Sequence, residues 1–354
     1  MIKPSSRQDR IVAALRLRGT ARVAELAIEF GVSHVTMRRD VEALARSERV
    51  VRSHGVVRLR PDSRRSATGP LSGTVAMVAP GRSAYFAEIV QGARAAAAER
   101  GLAWKFMACD EDESAGATLH RAMTTANLVG SLLSPRWRLP LNTEAEEAAW
   151  ALSAPTAPPS VLVERLATSG SALARVDAVC TDHTHGVILA LRHLCARGHR
   201  RILLAARDDS PTARTIRDTF AAQLGKMHLP VVAEPLLSSA GAGRNPDDPV
   251  PHLPTIVRST KATAVLAHSD VDAVNLVQQL HSAGLQVPND VSVVAYDDVI
   301  AGVGGLELTT VAPPKQEIGR TALALLQDRI EVGGAVRHVE LLPQLRDRGS
   351  TQTV

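Results

Sequence analysis

Cysteine is nearly absent: Cys109, Cys180 and Cys195 are the only three in 354 residues. An odd number at spacings that match neither a disulfide framework nor a zinc cluster excludes a cross-linked secreted scaffold and fits a reducing cytoplasm. No apolar run approaches the roughly 18–20 residues of a membrane span, and the first twenty residues are polar and basic, without a signal-peptide core. The glycine clusters Gly241-Ala242-Gly243 and Gly302-Val303-Gly304-Gly305 lack a strand–GxGxxG–helix context. Neither a Walker loop nor a nucleophile elbow is present, so the common signatures of an α/β enzyme are missing and an enzyme is not expected. His183 and His185 diverge on a helix and have no acidic or thiol partner at ligand spacing, so neither a metal nor another cofactor is expected.

Charge is unevenly spread. Met1–Arg65 carries 15 Lys and Arg against 7 Asp and Glu, whereas from Ser66 onward 29 acidic residues outnumber 26 basic ones. The basic character that attracts phosphate is therefore confined to the N-terminal segment. There, Gln8–Arg18 has helical spacing of Ile11, Val12 and Leu15, stopped by Gly19, and Val23–Phe30 repeats the pattern with Leu26 and Phe30 inward. Gly31 supplies a permissive turn, and Ser33 is placed to cap a third helix whose stripe is Met37, Val41 and Leu44. At about 100° per residue, Val35 and Arg39 point away from that stripe, with Thr36 and Arg38 on its flanks. Two short strands around Ser53-His54-Gly55 follow, carrying Arg52 and Arg58. Turn, cap, adjacent arginines and basic hairpin together give the layout of a winged helix-turn-helix, which reads double-stranded DNA. An arginine can fork onto guanine O6 and N7, while threonine and valine can meet a thymine methyl.

Residues 60–73 are almost free of apolar side chains and read as a flexible linker. From Thr74 onward apolar strands alternate with Ala- and Leu-rich helices, which predicts a parallel sheet with right-handed crossovers. The strands are expected at Val75–Ala79, Trp104–Ala108, Gly130–Leu133, Val161–Val163, Ala178–Cys180, Arg201–Ala205, Val231–Pro235, Ala264–Ala267 and Val291–Ala295. Helices are expected at Ala87–Arg100, His185–Ala196, Thr212–Leu224 and Val271–His281, making two stacked α/β lobes. Ligands of such sheets sit beyond the carboxyl ends of the strands. Those ends collect carboxylates and arginines, together with Tyr85, Phe86, Trp137 and Tyr296, four of the chain's nine aromatic residues. A hydroxyl-rich ligand calls for that combination of forks and flat faces.

Two resemblances sharpen the reading. Residues 8–57 resemble the DeoR-family winged helix-turn-helix through Val32-Ser33, Thr36-Met37-Arg38-Arg39-Asp40 and the trailing Arg52-Ser53-His54-Gly55-Val56, in which valine replaces one glycine. This implies DNA contacts from Ser33, His34, Val35, Thr36, Arg38, Arg39, Arg52, His54 and Arg58. The remainder resembles the effector domain of the LacI/GalR family, a periplasmic-binding-protein-like fold. The resemblance runs from Asp182, Gly186 and Ala190 through Gly198-His199, then Arg217 to Phe220, Ser269-Asp270, Val287 to Asp298 and Leu308 to Val311. It implies effector contacts from Arg217, Asp270 and Asp297 with the Tyr85/Phe86 loop, to which the strand ends add Trp137 and Asp182. Asp182 can equally cap the next helix. The LacI hinge helix is not recognisable in residues 60–73. The expected architecture is a winged helix-turn-helix at 1–59, a linker at 60–73 and a two-lobed effector-binding and dimerisation domain at 74–345. The expected function is that of a cytoplasmic homodimeric regulator, a repressor by family analogy, which binds operator DNA under control of a sugar-like metabolite. The alternatives are an effector-independent DNA-binding dimer and an α/β enzyme.

Overall fold

The computed structural model describes residues 20–46, 50–53, 56–59, 72–81, 83–109, 120–134, 157–165, 172–207, 210–237, 252–302 and 307–354, together with Arg7, Ile11 and Leu15. The chain divides into two compact units, one running to Leu71 and a larger one that takes up nearly all of the rest.

In the first unit Arg7, Ile11 and Leu15 are helical. Strand β1 (Thr20–Arg22), helix α1 (Val23–Glu29), helix α2 (His34–Arg46) and strands β2 (Val50–Ser53) and β3 (Val56–Leu59) follow. The strands form an antiparallel sheet in the order β1-β3-β2. β1 has only three residues, too few to show a period, and is held as a strand by pairing Ala21 with Val57. The core joins Ile11, Leu15, Leu26, Met37, Val41, Leu44 and Val57, each fully buried. Gly31 takes φ +62° between α1 and α2, and the Val32 N–H closes the turn onto the Ala27 carbonyl at 3.0 Å. Glycine occupies that left-handed backbone without a Cβ clash.

The larger unit has two lobes. The first is an all-parallel sheet in the order β13-β8-β7-β6-β4-β5, made of β4 (Thr74–Pro80), β5 (Ala103–Cys109), β6 (Leu128–Leu133), β7 (Ser160–Val163), β8 (Asp177–Thr181) and β13 (His338–Leu341). It carries helices α3 (Ala84–Glu99) and α8 (Lys315–Glu331). The second lobe has the sheet β14-β12-β11-β10-β9, made of β9 (Ile202–Ala206), β10 (Ala264–His268), β11 (Ser292–Tyr296), β12 (Thr309–Ala312) and an antiparallel β14 (Gln344–Arg346). Its helices are α4 (His183–Ala196), α5 (Pro211–Lys226), α6 (Leu253–Thr260) and α7 (Asp270–Ser282). Strands β7 to β12 are buried along their whole length, as parallel strands covered by helices on both faces must be.

The chain passes between the lobes three times: from β8 to α4, from β12 to α8 and from β13 to β14. α3 and α8 touch backbone to backbone. A Cβ at Gly319 would strike the Ile89 carbonyl and the Ala93 N–H, and one at Gly92 would strike the backbone of Gln316. The folded unit runs past residue 345. Ser350 Oγ donates to the Val293 carbonyl at 2.6 Å, and the Val354 N–H donates to the Arg197 carbonyl at 2.9 Å.

Eight of the nine expected strands are present, with ends shifted by a residue or two. The exception is Val231–Pro235, where no strand forms and only Leu236 bridges to Ala205. Proline has no N–H to give a ladder, and Pro230 and Pro235 bracket the segment, whose Val231 is 70% exposed. β12, β13 and β14 and helices α6 and α8 were not anticipated. β13 and β14 are short and half-exposed, without enough alternation to register.

Candidate functional site

In the first unit α2 opens on Ser33. Its Oγ accepts the Thr36 N–H at 3.1 Å and lies 2.8 Å from Thr36 Oγ1, so the expected cap is formed. Burial of Met37, Val41 and Leu44 turns the opposite face outward, with His34, Val35, Arg38 and Arg39 exposed and Thr36 half-buried. Val35 is 64% exposed. The Arg38 Nε–H donates to Glu42 Oε1 at 3.0 Å. Asp40, which closes the arginine motif, is tied to Arg7 Nε at 2.6 Å. Arg52 and Arg58 fall on the paired strands β2 and β3. His54 lies outside the described residues.

In the larger unit a buried polar chain spans the first crossing. Glu164 follows β7 and is 4% exposed. Its Oε1 accepts the Tyr85 hydroxyl at 2.8 Å, the Thr181 hydroxyl at 2.9 Å and the Thr181 N–H at 3.3 Å. Its Oε2 meets His183 Nε2 at 3.2 Å. The other ring nitrogen, Nδ1, lies 3.2 Å from the Tyr296 hydroxyl at the end of β11. One imidazole thus joins a carboxylate of the first lobe to a phenol of the second. Burial pushes Glu164 up, but hydrogen bonds from His183, Tyr85 and Thr181 outweigh it and hold the carboxyl below its ordinary range. Burial, reinforced by nearby carboxylates, raises both Tyr85 and Tyr296 well above 10, so both phenols keep their protons at neutral pH. Gly186 makes room for this chain, since a Cβ there would run into the Tyr296 ring.

A second link crosses at Lys315, whose side chain is 4% exposed. Its ammonium donates to the Asp297 and Asp298 carbonyls at 2.5 and 3.1 Å in the second lobe and pairs with Glu88 of α3 at 3.1 Å in the first. Asp298 is fixed by Arg346 and Arg348 at 2.5 and 2.7 Å. The Asp297 carboxyl is pushed up to about 7 by burial first and by Asp270 second, against the opposing pull of His183 and Lys315.

The residues anticipated as effector contacts are only partly gathered. Tyr85 enters the polar chain, and Asp297 lies within electrostatic reach of Asp270, His183, Lys315 and Glu164. Phe86, edge-on to Tyr85 at 5.5 Å, instead lines a groove of about 300 Å³ with Pro80, Ser83, Val90, Arg94 and Phe106. Asp182 caps α4, its Oδ1 accepting the His185 N–H at 2.7 Å. Arg217 donates to the Ala206 and Pro235 carbonyls at 3.0 and 3.3 Å. Asp270 Oδ2 accepts the N–H groups of Val299, Ile300 and Ala301 at 2.6–3.1 Å, while its buried Oδ1 has no partner among the described residues. Trp137 lies outside the described residues. Sequence reasoning did not single out Glu164, His183, Tyr296 and Lys315 as a group. Three of them sit at strand ends, and only packing shows that they meet. Among the described residues no group of three His, Cys, Asp or Glu is arranged to hold a metal ion, and no helix is long and apolar enough to cross a membrane.

Residues 7–61 match the model of a DeoR-like helix-turn-helix domain, and residues 191–351 match that of a periplasmic binding protein-like domain. The HTH-type transcriptional repressor CytR of Escherichia coli K12 is 28% identical over 280 residues, 76% of each chain. The repressor PurR of Aliivibrio fischeri MJ11 is 27% identical over 179 residues, 50% of this chain and 53% of the relative. A LacI transcriptional regulator from a Rhodococcus species superposes with a TM-score of 0.63 at 24% identity, over 79% of this chain and 99% of the other. The lac repressor dimer bound to operator and an anti-inducer superposes with a TM-score of 0.65 at 21% identity, over 82% and 97% of the two chains. The chain therefore joins a DeoR-like helix-turn-helix to a periplasmic-binding-protein-like domain homologous to those of LacI-family regulators, and these relatives are transcriptional regulators.

Proposed function

We propose that this chain is a ligand-controlled DNA-binding repressor that acts in the cytoplasm as a homodimer and catalyses no reaction. The observation that carries this reading is the coexistence, in one chain, of a capped helix exposing Val35, Arg38 and Arg39 with a two-lobed unit bridged by buried polar links. The kinship with CytR and PurR, both named as repressors, supports the sign of regulation. Residues 1–59 bind operator DNA through Ser33, His34, Val35, Thr36, Arg38, Arg39, Arg52, His54 and Arg58, residues 60–73 tether them, and the larger unit from Thr74 onward forms the sensor.

The ligand is a small polar metabolite of the sugar or nucleoside kind. It is held between the lobes by Tyr85, Phe86, Trp137, Asp182, Arg217, Asp270 and Asp297. A related fold, a LacI-family regulator from Enterococcus faecium, was solved with ribose bound. The ligand acts by preferring one arrangement of the lobes, and a coupling of about 1–3 kcal/mol is enough to change DNA affinity about 5–150-fold.

The test is a fluorescence-anisotropy titration of the full chain against its own upstream DNA, with and without members of a sugar and nucleoside panel. Arg38→Ala/Arg39→Ala is expected to abolish specific binding. A compound that stabilises the chain in a thermal shift and loses that effect in Asp270→Ala or Arg217→Ala supports the cleft; a compound whose effect survives both displaces it. The effector-blind alternative draws on the commitment of Arg217 and of Asp270 Oδ2 to backbone partners. Tight DNA binding with a featureless ligand screen would favour that alternative.

A further inference from the structure

We infer that Arg38 reads a guanine and that Glu42 is the residue that positions it, a specificity device resting on the DNA-binding reading above. With the buried stripe of α2 set at 0°, Arg38, Glu42, Val35 and Arg39 fall at about 100°, 140°, 160° and 200°. Glu42 therefore stands inside the outward face, between an arginine and the exposed valine. A carboxylate there faces the negative field of any duplex laid against the helix, so its presence needs a reason.

Its pairing with Arg38 adds little to fold stability. The pair is exposed, with side-chain exposures of 56% and 46%. It also runs basic-to-acidic along the helix, the weaker order for an i,i+4 pair and the one that opposes the helix dipole. The geometry of the pair supplies a reason. Nε of Arg38 is committed to Glu42 Oε1 at 3.0 Å. The two terminal nitrogens remain as a planar fork held by the carboxylate, which is the shape that matches guanine O6 and N7. An arginine fixed in advance loses less freedom on docking, so more of its contact appears as base discrimination. Arg39 has no such carboxylate among the described residues and suits a phosphate.

The experiment is selection from a randomised duplex library by the full chain, read by sequencing, for wild type, Arg38→Ala, Glu42→Ala and Glu42→Gln. Arg38→Ala is expected to flatten a guanine preference at one position of each half-site by roughly 10-fold or more. Glu42→Ala should flatten the same position by about 3-fold. Glu42→Gln keeps an oxygen for the Nε–H and should retain the preference, an outcome that a purely electrostatic role for Glu42 would not give. An unchanged guanine preference in Glu42→Ala overturns the inference, as does a loss at a different position from that of Arg38→Ala. If the wild-type chain enriches no sequence, the DNA-binding reading itself falls, a result separable from both.

Discussion

Asp297→Asn should stabilise the protein, and increasingly so as the pH rises. Asp297 follows β11 with φ +94°, a backbone region that asparagine tolerates about as well as aspartate, so the substitution changes charge without straining the chain. Its carboxyl is pushed from the ordinary 3.8 to about 7, chiefly by burial and then by Asp270. Below about pH 4 the folded and unfolded chains both hold the proton. Between about pH 4 and 7 the unfolded chain releases a proton that the folded chain keeps, so stability falls with rising pH; above 7 the loss is complete. At 1.36 kcal/mol per unit of pH, the interval amounts to roughly 4 kcal/mol, of which about 2 falls between pH 5.5 and 8.5. Asp297 is half-buried, and water reaching it leaves about 1 kcal/mol of that portion. Thermal unfolding of wild type and Asp297→Asn at the two pH values checks this. The variant's advantage in Tm should widen by about 2–3 °C from pH 5.5 to 8.5. Tm values that keep a constant separation across that range would refute a proton-holding Asp297.

His183→Ala strands Glu164 as a buried carboxylate without its imidazole and should destabilise the larger unit by about 3–5 kcal/mol in urea unfolding; His183→Gln, which still donates, should recover part of this. Gly319→Ala sets a methyl against the Ile89 carbonyl and should destabilise by about 1–3 kcal/mol, read as a lowered Tm, whereas Gly284→Ala, with open space around it but φ +76°, tests strain alone. In the N-terminal unit, Arg39→Ala should reduce the slope of log affinity against log salt by about 1, measured by anisotropy on non-specific duplex.

The sequence made the first unit legible nearly residue by residue because its signals are local. Ser33 caps three residues ahead, Gly31 turns where a side chain would strain, and the 3.6-residue period exposes Arg38 and Arg39. The sheets were legible as a class for a similar reason, since fully buried parallel strands read as short apolar runs. What escaped depends on distance along the chain. β13 reaches β8 from about 160 residues away, and nothing in its own short, half-exposed sequence marks it as a strand. The same holds for the Glu164–His183–Tyr296 chain. Each residue alone reads as a strand end or a helix start, and their shared hydrogen bonds exist only once two lobes are folded against each other. Arg217 and Asp270 show the converse, since a motif can locate a residue while its side chain spends its hydrogen bonds on the neighbouring backbone.

The triple passage of the backbone between lobes orders events on the ribosome. The second lobe is an insertion: by the time Ala312 has emerged, all its elements except β14 have been made, while the first still awaits α8 and β13. A nascent chain that stops near residue 312 would expose the face of α3 that Gly319 and its helix normally cover, together with one edge of β8. Such a product presents apolar surface and an unpaired strand edge, the features that make unfinished chains prone to aggregate. The first lobe, and with it the two-lobed unit, is therefore completed only once α8 and β13 have followed the second lobe.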